Sequence, residues 1–366
     1  MDAQQIERPR PHRRIVALLV AGVLAVGAIV GFSVRGAAAD PVLPPITPAE
    51  LLGKVAAAHV DGLSATFEQR SDLGLPALPA DLGDDGELST ALGMLTGTHT
   101  VRVWTAGQQK SKVALVDGSI ETSLTRNGNQ VWAWSSEKQE AVHSTIPAST
   151  KKPAGPATSP SEAIKTLLDK LGTSTDVSVS GTGYVAGRAV YQLVLAPRDP
   201  AGLVSLVSQV RVLVDAEHFV PLGLKVIADD GQDAIVVAAT SVDFSAPDAQ
   251  VFDFRPPAGV KVTEKVASAE RPTGKKADNR TDKQTGTKPT TYGSGWTTVV
   301  VATLPEAATA NEQTTVLLNT LPRVSGSWGS GRLLSTVLVN AVITDDGRVA
   351  VGSVEPESLY RALATR

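Results

Sequence analysis

Alternating hydrophobic and polar positions predict several β-strands in the first half of the chain. The stretches with this period or with many β-branched and aromatic residues are 65–70, 98–104, 112–116, 120–126 and 131–135. Asp117-Gly118 and Asn127-Gly128 lie between such stretches and favour tight hairpin turns. We therefore predict an antiparallel meander, which an apolar surface loop or lid at residues 72–96 interrupts after the first strand.

A second group of strand-like stretches predicts a further meander. Its strands are predicted at residues 183–196, 210–215, 222–228 and 234–244. Near the C-terminus the pattern predicts a strand at 296–302 and a hairpin that joins 333–343 to 349–354 through Asp345-Asp346-Gly347. The two halves share a loose helix-then-meander plan, which we interpret as one large sheet.

Helical spacing predicts short helices between these strands. Thr47 and Glu50 form a capping-box pattern around Pro48, and Ser159 and Glu162 repeat that pattern before an apolar helical face. Apolar residues three and four positions apart predict the other helices, at 200–209, 305–321 and 356–364.

The N-terminal residues predict a membrane span. Residues 15–34 carry no charge and are long enough to cross a hydrocarbon core of about 30 Å. Arginines precede them, so the positive-inside rule keeps residues 1–14 in the cytoplasm and places the rest of the chain outside. These arginines are Arg8, Arg10, Arg13 and Arg14.

The span can be interpreted in two ways. A permanent signal anchor would leave a single-pass protein in the cytoplasmic membrane, whereas cleavage near Ala39, after the small residues Ala37 and Ala38, would release a secreted protein. The length of the apolar run favours the anchor. Residues 35–46, rich in proline, are predicted to form a stiff spacer, and residues 47–366 to form the extracytoplasmic domain.

One internal segment has the composition of a linker. Residues 267–295 are rich in Lys, Arg, Thr, Asp and Gly and contain few large apolar residues. Such a segment cannot bury enough apolar surface to offset the loss of chain entropy. We therefore predict a disordered loop or linker there.

Composition and motifs exclude several kinds of site. The chain has 366 residues, a net charge of -3 and no cysteine, which argues against nucleic-acid binding and excludes disulfides, cysteine zinc sites, a catalytic cysteine and a lipidated cysteine. No nucleophile elbow, phosphate-binding loop or zinc-protease motif is present, and the few histidines lie far apart. We expect no enzyme activity, no metal and no cofactor, although a catalytic site assembled in space would leave no motif.

Some predicted strands are apolar on both sides. Tyr191, Leu193 and Leu195 share one strand face, while Val190 and Val194 lie on the other face of the same strand. The next two strands carry Val210, Val212 and Val214, and then Leu222, Leu224 and Val226, with Leu213 on an opposite face. An ordinary core accounts for one apolar face. The second face needs another cover, and a ligand could provide it.

Six motifs, taken in their order and spacing, resemble the LolA/RseB superfamily. Residues 63–79 (LSATFEQRSDLGLPALP), 97–104 (GTHTVRVW) and 126–136 (RNGNQVWAWSS) resemble its first strands. Residues 187–199 (ending in YQLVLAPRD), 210–226 (VRVLVDAEHFVPLGLKV) and 252–262 (FDFRPPAGVKV) resemble its second half. The resemblance covers most of the chain from Thr47 onward, and is nearest to the membrane-anchored actinobacterial members.

The resemblance implies an α+β fold, namely a curved, unclosed antiparallel sheet (a half-barrel) with helices covering its open side. Its concave face would bind acyl chains of a lipid or lipoprotein, as in a periplasmic lipoprotein carrier. The alternative is a regulatory sensor that binds an anti-sigma factor or another membrane protein. Alternation cannot decide which face is concave. The residues expected in the cavity are Phe67, Val101, Val103, Trp132, Trp134, Tyr191, Leu193, Leu195, Leu222, Leu224 and Val226.

Overall fold

The part of the protein that the structure describes is mostly β-structure with few helices. The computed structural model describes residues 40–75, 97–146, 174–198, 204–266, 289–304 and 318–365. Within these ranges, no helix combines the length and apolar character needed to cross a membrane. The predicted span at 15–34, the helix that begins at Ser159, most of the helix at 305–321 and most of the loop at 72–96 lie outside the described residues.

The larger sheet has twelve strands in the order β12-β6-β5-β4-β3-β2-β1-β11-β10-β9-β8-β7. All neighbouring strands are antiparallel except β12 and β6, which are parallel. The sheet is unclosed, because β12 and β7 form its two edges. The strands are β1 Gly62–Ser71, β2 Gly97–Ala106, β3 Lys110–Asp117, β4 Ile120–Asn127, β5 Gln130–Ser135, β6 Glu140–Thr145, β7 Thr175–Val185, β8 Arg188–Pro197, β9 Val207–Asp215, β10 Pro221–Ala228, β11 Asp233–Asp243 and β12 Lys261–Val266.

A second sheet follows in the C-terminal part of the chain, with six strands in the order β13-β14-β18-β17-β16-β15. Helix α2, Pro356–Ala364, lies where the sequence predicts it and buries Leu359 and Leu363 against Val342 and Ala350 of this sheet. The strands are β13 Thr290–Tyr292, β14 Val299–Thr303, β15 Arg323–Gly326, β16 Gly329–Ser335, β17 Asn340–Thr344 and β18 Arg348–Gly352. The two predicted meanders therefore share one large sheet, as interpreted from the sequence, whereas the C-terminal strands form a second sheet that the sequence analysis did not predict.

The two sheets contact each other directly. Ser205 forms an isolated antiparallel bridge with Val354, and Trp296 donates a hydrogen bond from Nε1 to Thr175 Oγ1 at 2.8 Å. Leu338, from the turn between β16 and β17, is buried in one cluster with Val207 of the larger sheet. These contacts cover one end of the larger sheet with the smaller one.

Helix α1, Pro48–Ala57, confirms the first capping-box prediction. Glu50 donates its backbone amide to Thr47 Oγ1, and the Thr47 amide donates to Glu50 Oε2 at 2.9 Å. The proline-rich residues before this helix also contact the sheet, unlike a free spacer. Tyr191 donates a hydrogen bond to the carbonyl of Pro44 at 3.0 Å, and Thr182 donates one to the carbonyl of Pro41 at 2.8 Å.

Other local predictions need correction. Residues 183–196 are a hairpin of β7 and β8, because Ala186 and Gly187 take positive φ angles of 49° and 77° and turn the chain. The described part of the predicted helix at 200–209 is extended, since Val207 pairs with Ala228 at the start of β9. A short apolar run fits either a strand or a buried helix, and pairing with β10 decides it.

In the C-terminal part, a turn divides residues 333–343 into β16 and β17, and Thr336 Oγ1 donates to the carbonyl of Val339 at 2.7 Å there. The predicted strand at 296–302 begins at Val299, after a 3-10 turn at Gly295–Thr297. Residues 267–288 of the predicted linker lie outside the described residues, but its end is ordered as β13, which pairs with β14.

Candidate functional site

One face of the larger sheet carries an unbroken row of apolar side chains across its first half. Directly paired residues on neighbouring strands project from the same face of a sheet. The pairs in this row join Ala65, Val103, Val113, Leu124, Ala133 and Val142, from β1 to β6 in turn. Strands lie about 4.8 Å apart, so the row is about 24 Å long.

The same face stays apolar in the second half of the sheet. One row there joins Val179, Leu193, Val212, Leu224 and Val237, and the next joins Val177, Leu195, Val210, Val226 and Ile235. We call the side of the larger sheet that bears these three rows the apolar face. The side that bears Trp132, Trp134, Val190 and Leu213 is the opposite face.

Parts of the apolar face are covered by the protein itself. Leu51 and Leu52 of α1 form one buried cluster with Tyr191, Leu193 and Val214. At the end next to the smaller sheet, Val210, Val226 and Ile235 pack against the cluster that contains Leu338. These contacts account for most of the apolar residues of β7–β11.

The part over β2–β6 is different, and we call it the open half. Its row consists of Val103, Val113, Leu124, Ala133 and Val142, all of which are only half-buried. None of the buried clusters found among the described residues contains any of them. The open half is therefore apolar surface without a complete cover from the described part of the chain.

The rows on either side of this one are mixed. One neighbouring row contains Ser111, Arg126, Val131 and Ser144, and the other contains Val101, Leu115, Thr122 and Ser135. The apolar surface therefore widens on one side over β2 and β3, and mostly polar side chains flank it over β4–β6. No titratable side chain lies in its central row, so the chemistry that it can supply is the burial of apolar surface.

The structure places most of the predicted cavity residues on the apolar face, but in different environments. Val101 and Val103 lie on it at the edge of the open half, and Phe67 pairs with Val101. Tyr191 and Leu193 are 7% and 4% exposed because α1 and the residues before it pack on them. Leu195, Leu224 and Val226 also lie on the apolar face, in β8 and β10.

Three predicted residues lie elsewhere. Trp132 and Trp134 project from the opposite face, where their rings lie 5.4 and 6.0 Å from that of Phe254. Leu222 sits at a register shift between Pro221 and Gly223 and is buried in one cluster with Leu213. A one-residue change of register reverses the face of every following side chain, which alternation alone could not reveal.

The sequence analysis missed the centre of the open half. Val113, Leu124, Ala133 and Val142 come from four strands, and nothing within any one strand marks them as neighbours. The only sequence signal for this row was the alternation within β3, which puts Val113 and Leu115 on one face. The pairing of β3 with β4, β5 and β6 was needed to show that Val113 lies in one row with the other three residues.

The opposite face is covered by the chain that follows β11. His218 stacks on Phe244 with ring centres 3.9 Å apart, and Phe252 is fully buried at the end of a 3-10 helix, Ala249–Phe252, which packs on β3 and β4. Phe254 then contacts the tryptophans of β5. Because this segment covers the opposite face, the open half is the better candidate for a ligand.

A buried ion pair fixes the turn between β9 and β10. Arg188 donates to both oxygens of Asp215, at 2.5 and 3.1 Å, and the His218 amide donates to Asp215 Oδ1 at 2.6 Å. Burial raises the pKa of the Asp215 carboxylate, but these hydrogen bonds outweigh burial and leave its pKa below the usual value. Every described hydrogen-bond partner of the Asp215 carboxylate lies in this turn or is Arg188, so we assign the pair a structural role.

Comparison with known proteins gives matches among solved structures. No protein-family profile and no curated protein matches the chain. The MucA/MucB complex of Pseudomonas aeruginosa is similar at 16% identity and a TM-score of 0.45, over 86% of this chain and 96% of that one. A LolA superfamily protein of Nitrosomonas europaea is similar at 12% identity and a TM-score of 0.22, over 57% of this chain and 98% of that one. The Nitrosomonas europaea structure bears the name of the superfamily that the sequence motifs resemble.

Proposed function

We propose that the protein binds the acyl chains of a lipid or lipoprotein on the open half of its apolar face. The observation that carries this proposal is the half-buried apolar row from Val103 to Val142. Burial of each CH₂ group of an acyl chain contributes about 0.8 kcal/mol and requires no catalytic side chain. The protein would transfer or sense acylated molecules and would not be an enzyme.

The proposal includes attachment to the outer side of the cytoplasmic membrane through residues 15–34. Since the chain has no cysteine to carry a lipid, the apolar segment itself must serve as the anchor. An anchored protein cannot diffuse between two membranes. Local transfer or sensing therefore fits better than shuttling.

A binding assay on residues 40–366 tests the acyl site. Leu124→Glu places a carboxylate in the centre of the open half, where a bound acyl chain would desolvate it. We expect at least about a tenfold loss of affinity for a fluorescent fatty acid, which corresponds to about 1.4 kcal/mol. Val339→Glu is the matched control, because Val339 is an apolar residue that is 41% exposed in the β16–β17 turn of the smaller sheet, outside the open half.

Circular dichroism should show that both variants remain folded. If Leu124→Glu binds the fatty acid as well as the control does, the open half is not the site. If the unmodified protein neither binds the probe nor carries lipid by native mass spectrometry, the proposal as a whole fails.

The alternative is a regulatory protein that binds a membrane partner. The observation that favours it is the edge position of β7, which pairs only with β8 among the described strands. An edge strand can accept a strand from another protein. Absence of lipid from the purified protein, together with capture of a defined membrane partner, would support this function instead.

A further inference from the structure

The proline-rich residues before α1 are fixed on the larger sheet. Leu43 and Ile46 pack against the cluster formed by α1 and Tyr191, while Thr182 and Tyr191 donate to backbone carbonyls of the segment. The chain therefore reaches the sheet at about Asp40, and residues 40–46 contribute no free length between the sheet and the preceding apolar segment.

This docking shortens the connection to the membrane. If residues 15–34 span the bilayer, only residues 35–39 separate the span from the docked segment. An extended residue covers at most about 3.5 Å, so this connection is at most about 18 Å long. The headgroup region occupies about 5–7 Å of that distance on each side of the hydrocarbon core.

The residues at this point are suited to contact with lipid. Val42 is fully exposed, and its neighbour Pro41 accepts the hydrogen bond from Thr182 of β7. Tyr184 follows two positions later on the same face of β7 and is 42% exposed. Tyrosine is enriched at membrane interfaces because its ring is apolar and its hydroxyl group is polar.

We propose that Val42 and Tyr184 form a membrane-contacting surface, which holds the β7 edge of the larger sheet against the headgroups of the outer leaflet. Isolated exposed apolar residues are common on soluble proteins. Here, however, the pair lies where the chain leaves the described structure towards a predicted span. The inference rests on the proposed anchoring, and it adds a fixed orientation to it.

The absence of cysteine allows a direct test with single labels. The full chain is reconstituted in nanodiscs of phosphatidylethanolamine and phosphatidylglycerol that include a lipid with a nitroxide on its headgroup. An environment-sensitive fluorophore is attached in turn to Val42→Cys and Tyr184→Cys. Ile120→Cys and Val339→Cys are the matched controls, because these residues are also exposed, at 39% and 41%, but lie in β4 and in the smaller sheet's β16–β17 turn.

We expect the nitroxide to quench the labels at Val42 and Tyr184 and to leave the two controls unchanged. Insertion of about 20 Gly and Ser residues between Ala39 and Asp40 adds about 25 Å of flexible chain and should reduce this quenching. Thermal melts of the labelled variants should match that of the unmodified protein.

The possible failures are distinguishable. The same chain is also mixed with vesicles of these lipids and floated on a density gradient. A chain that does not co-float with the vesicles lacks the anchor, which refutes the proposed anchoring and this orientation together. A chain that co-floats but shows equal quenching at all four positions, or none at Val42 and Tyr184, refutes the orientation alone. Acyl-chain binding by residues 40–366 is measured without a membrane and is unaffected by either result.

Discussion

Leu193→Ala should destabilise the protein strongly, because Leu193 joins α1 to the larger sheet. Its side chain is 4% exposed and lies in one cluster with Leu51, Leu52 and Val214. The substitution removes about three carbon groups, worth roughly 0.8 kcal/mol each, and leaves a cavity that adds to this loss. We expect the free energy of unfolding to fall by about 3–5 kcal/mol.

Urea denaturation followed by tryptophan fluorescence measures this change. With a slope of about 3 kcal/mol per molar urea, the midpoint should fall by about 1 M or more. Val42→Ala is the control, since a fully exposed side chain should change stability by no more than about 0.5 kcal/mol. A loss below about 1 kcal/mol for Leu193→Ala would show that α1 is not seated on β8 as described. Replacing Leu193 with Glu would therefore report on stability rather than on ligand binding.

Two further predictions concern the pH dependence and the backbone. The pKa of Asp215 is lower in the folded protein than the value of about 3.9 expected in the unfolded chain. The ionised carboxylate therefore stabilises the fold at pH values above about 3.9, and this contribution is lost as pH falls through the lower pKa of the folded state. Asp215→Asn should therefore give a shallower fall in melting temperature below about pH 4, and an unchanged slope would contradict the assigned role of the ion pair. Gly62→Ala should cost about 1–3 kcal/mol, because its Cβ would lie 2.4 Å from the backbone of Ala246. Gly183→Ala, whose Cβ would meet only Gln192 and Val190 at 3.6 Å or more, should be close to neutral in the same melts, and equal losses would count against the close approach at Gly62.

Local signals predicted the elements whose structure depends on neighbouring residues. Thr47 and Glu50 mark the start of α1 because their side chains and amides satisfy each other within one turn. Asp117-Gly118 similarly marks the hairpin of β3 and β4, where Gly118 has a φ of 56°. In both cases the decisive contacts lie only a few residues apart.

Pairing between distant segments could not be predicted in this way. The parallel alignment of β12 with β6 and the second sheet depend on contacts between remote residues. The sequence analysis placed Trp132 and Trp134 among the cavity residues for the same reason. Which face of the sheet they occupy depends on the register of β4 and β5 relative to β1. The apolar character of the sheet was visible in the sequence, but the alignment of Val113, Leu124 and Val142 was not.

The position of β11 next to β1 has a consequence for the order of folding. Strands β1–β6 are consecutive neighbours and can pair as soon as they have been synthesised, but the other edge of β1 must wait for β11. Pairing between strands so far apart in sequence is slow to form. During that interval, the chain presents an unpaired strand edge together with the apolar row, and both favour aggregation. We therefore expect newly made molecules to depend on a holding chaperone until β11 has paired with β1.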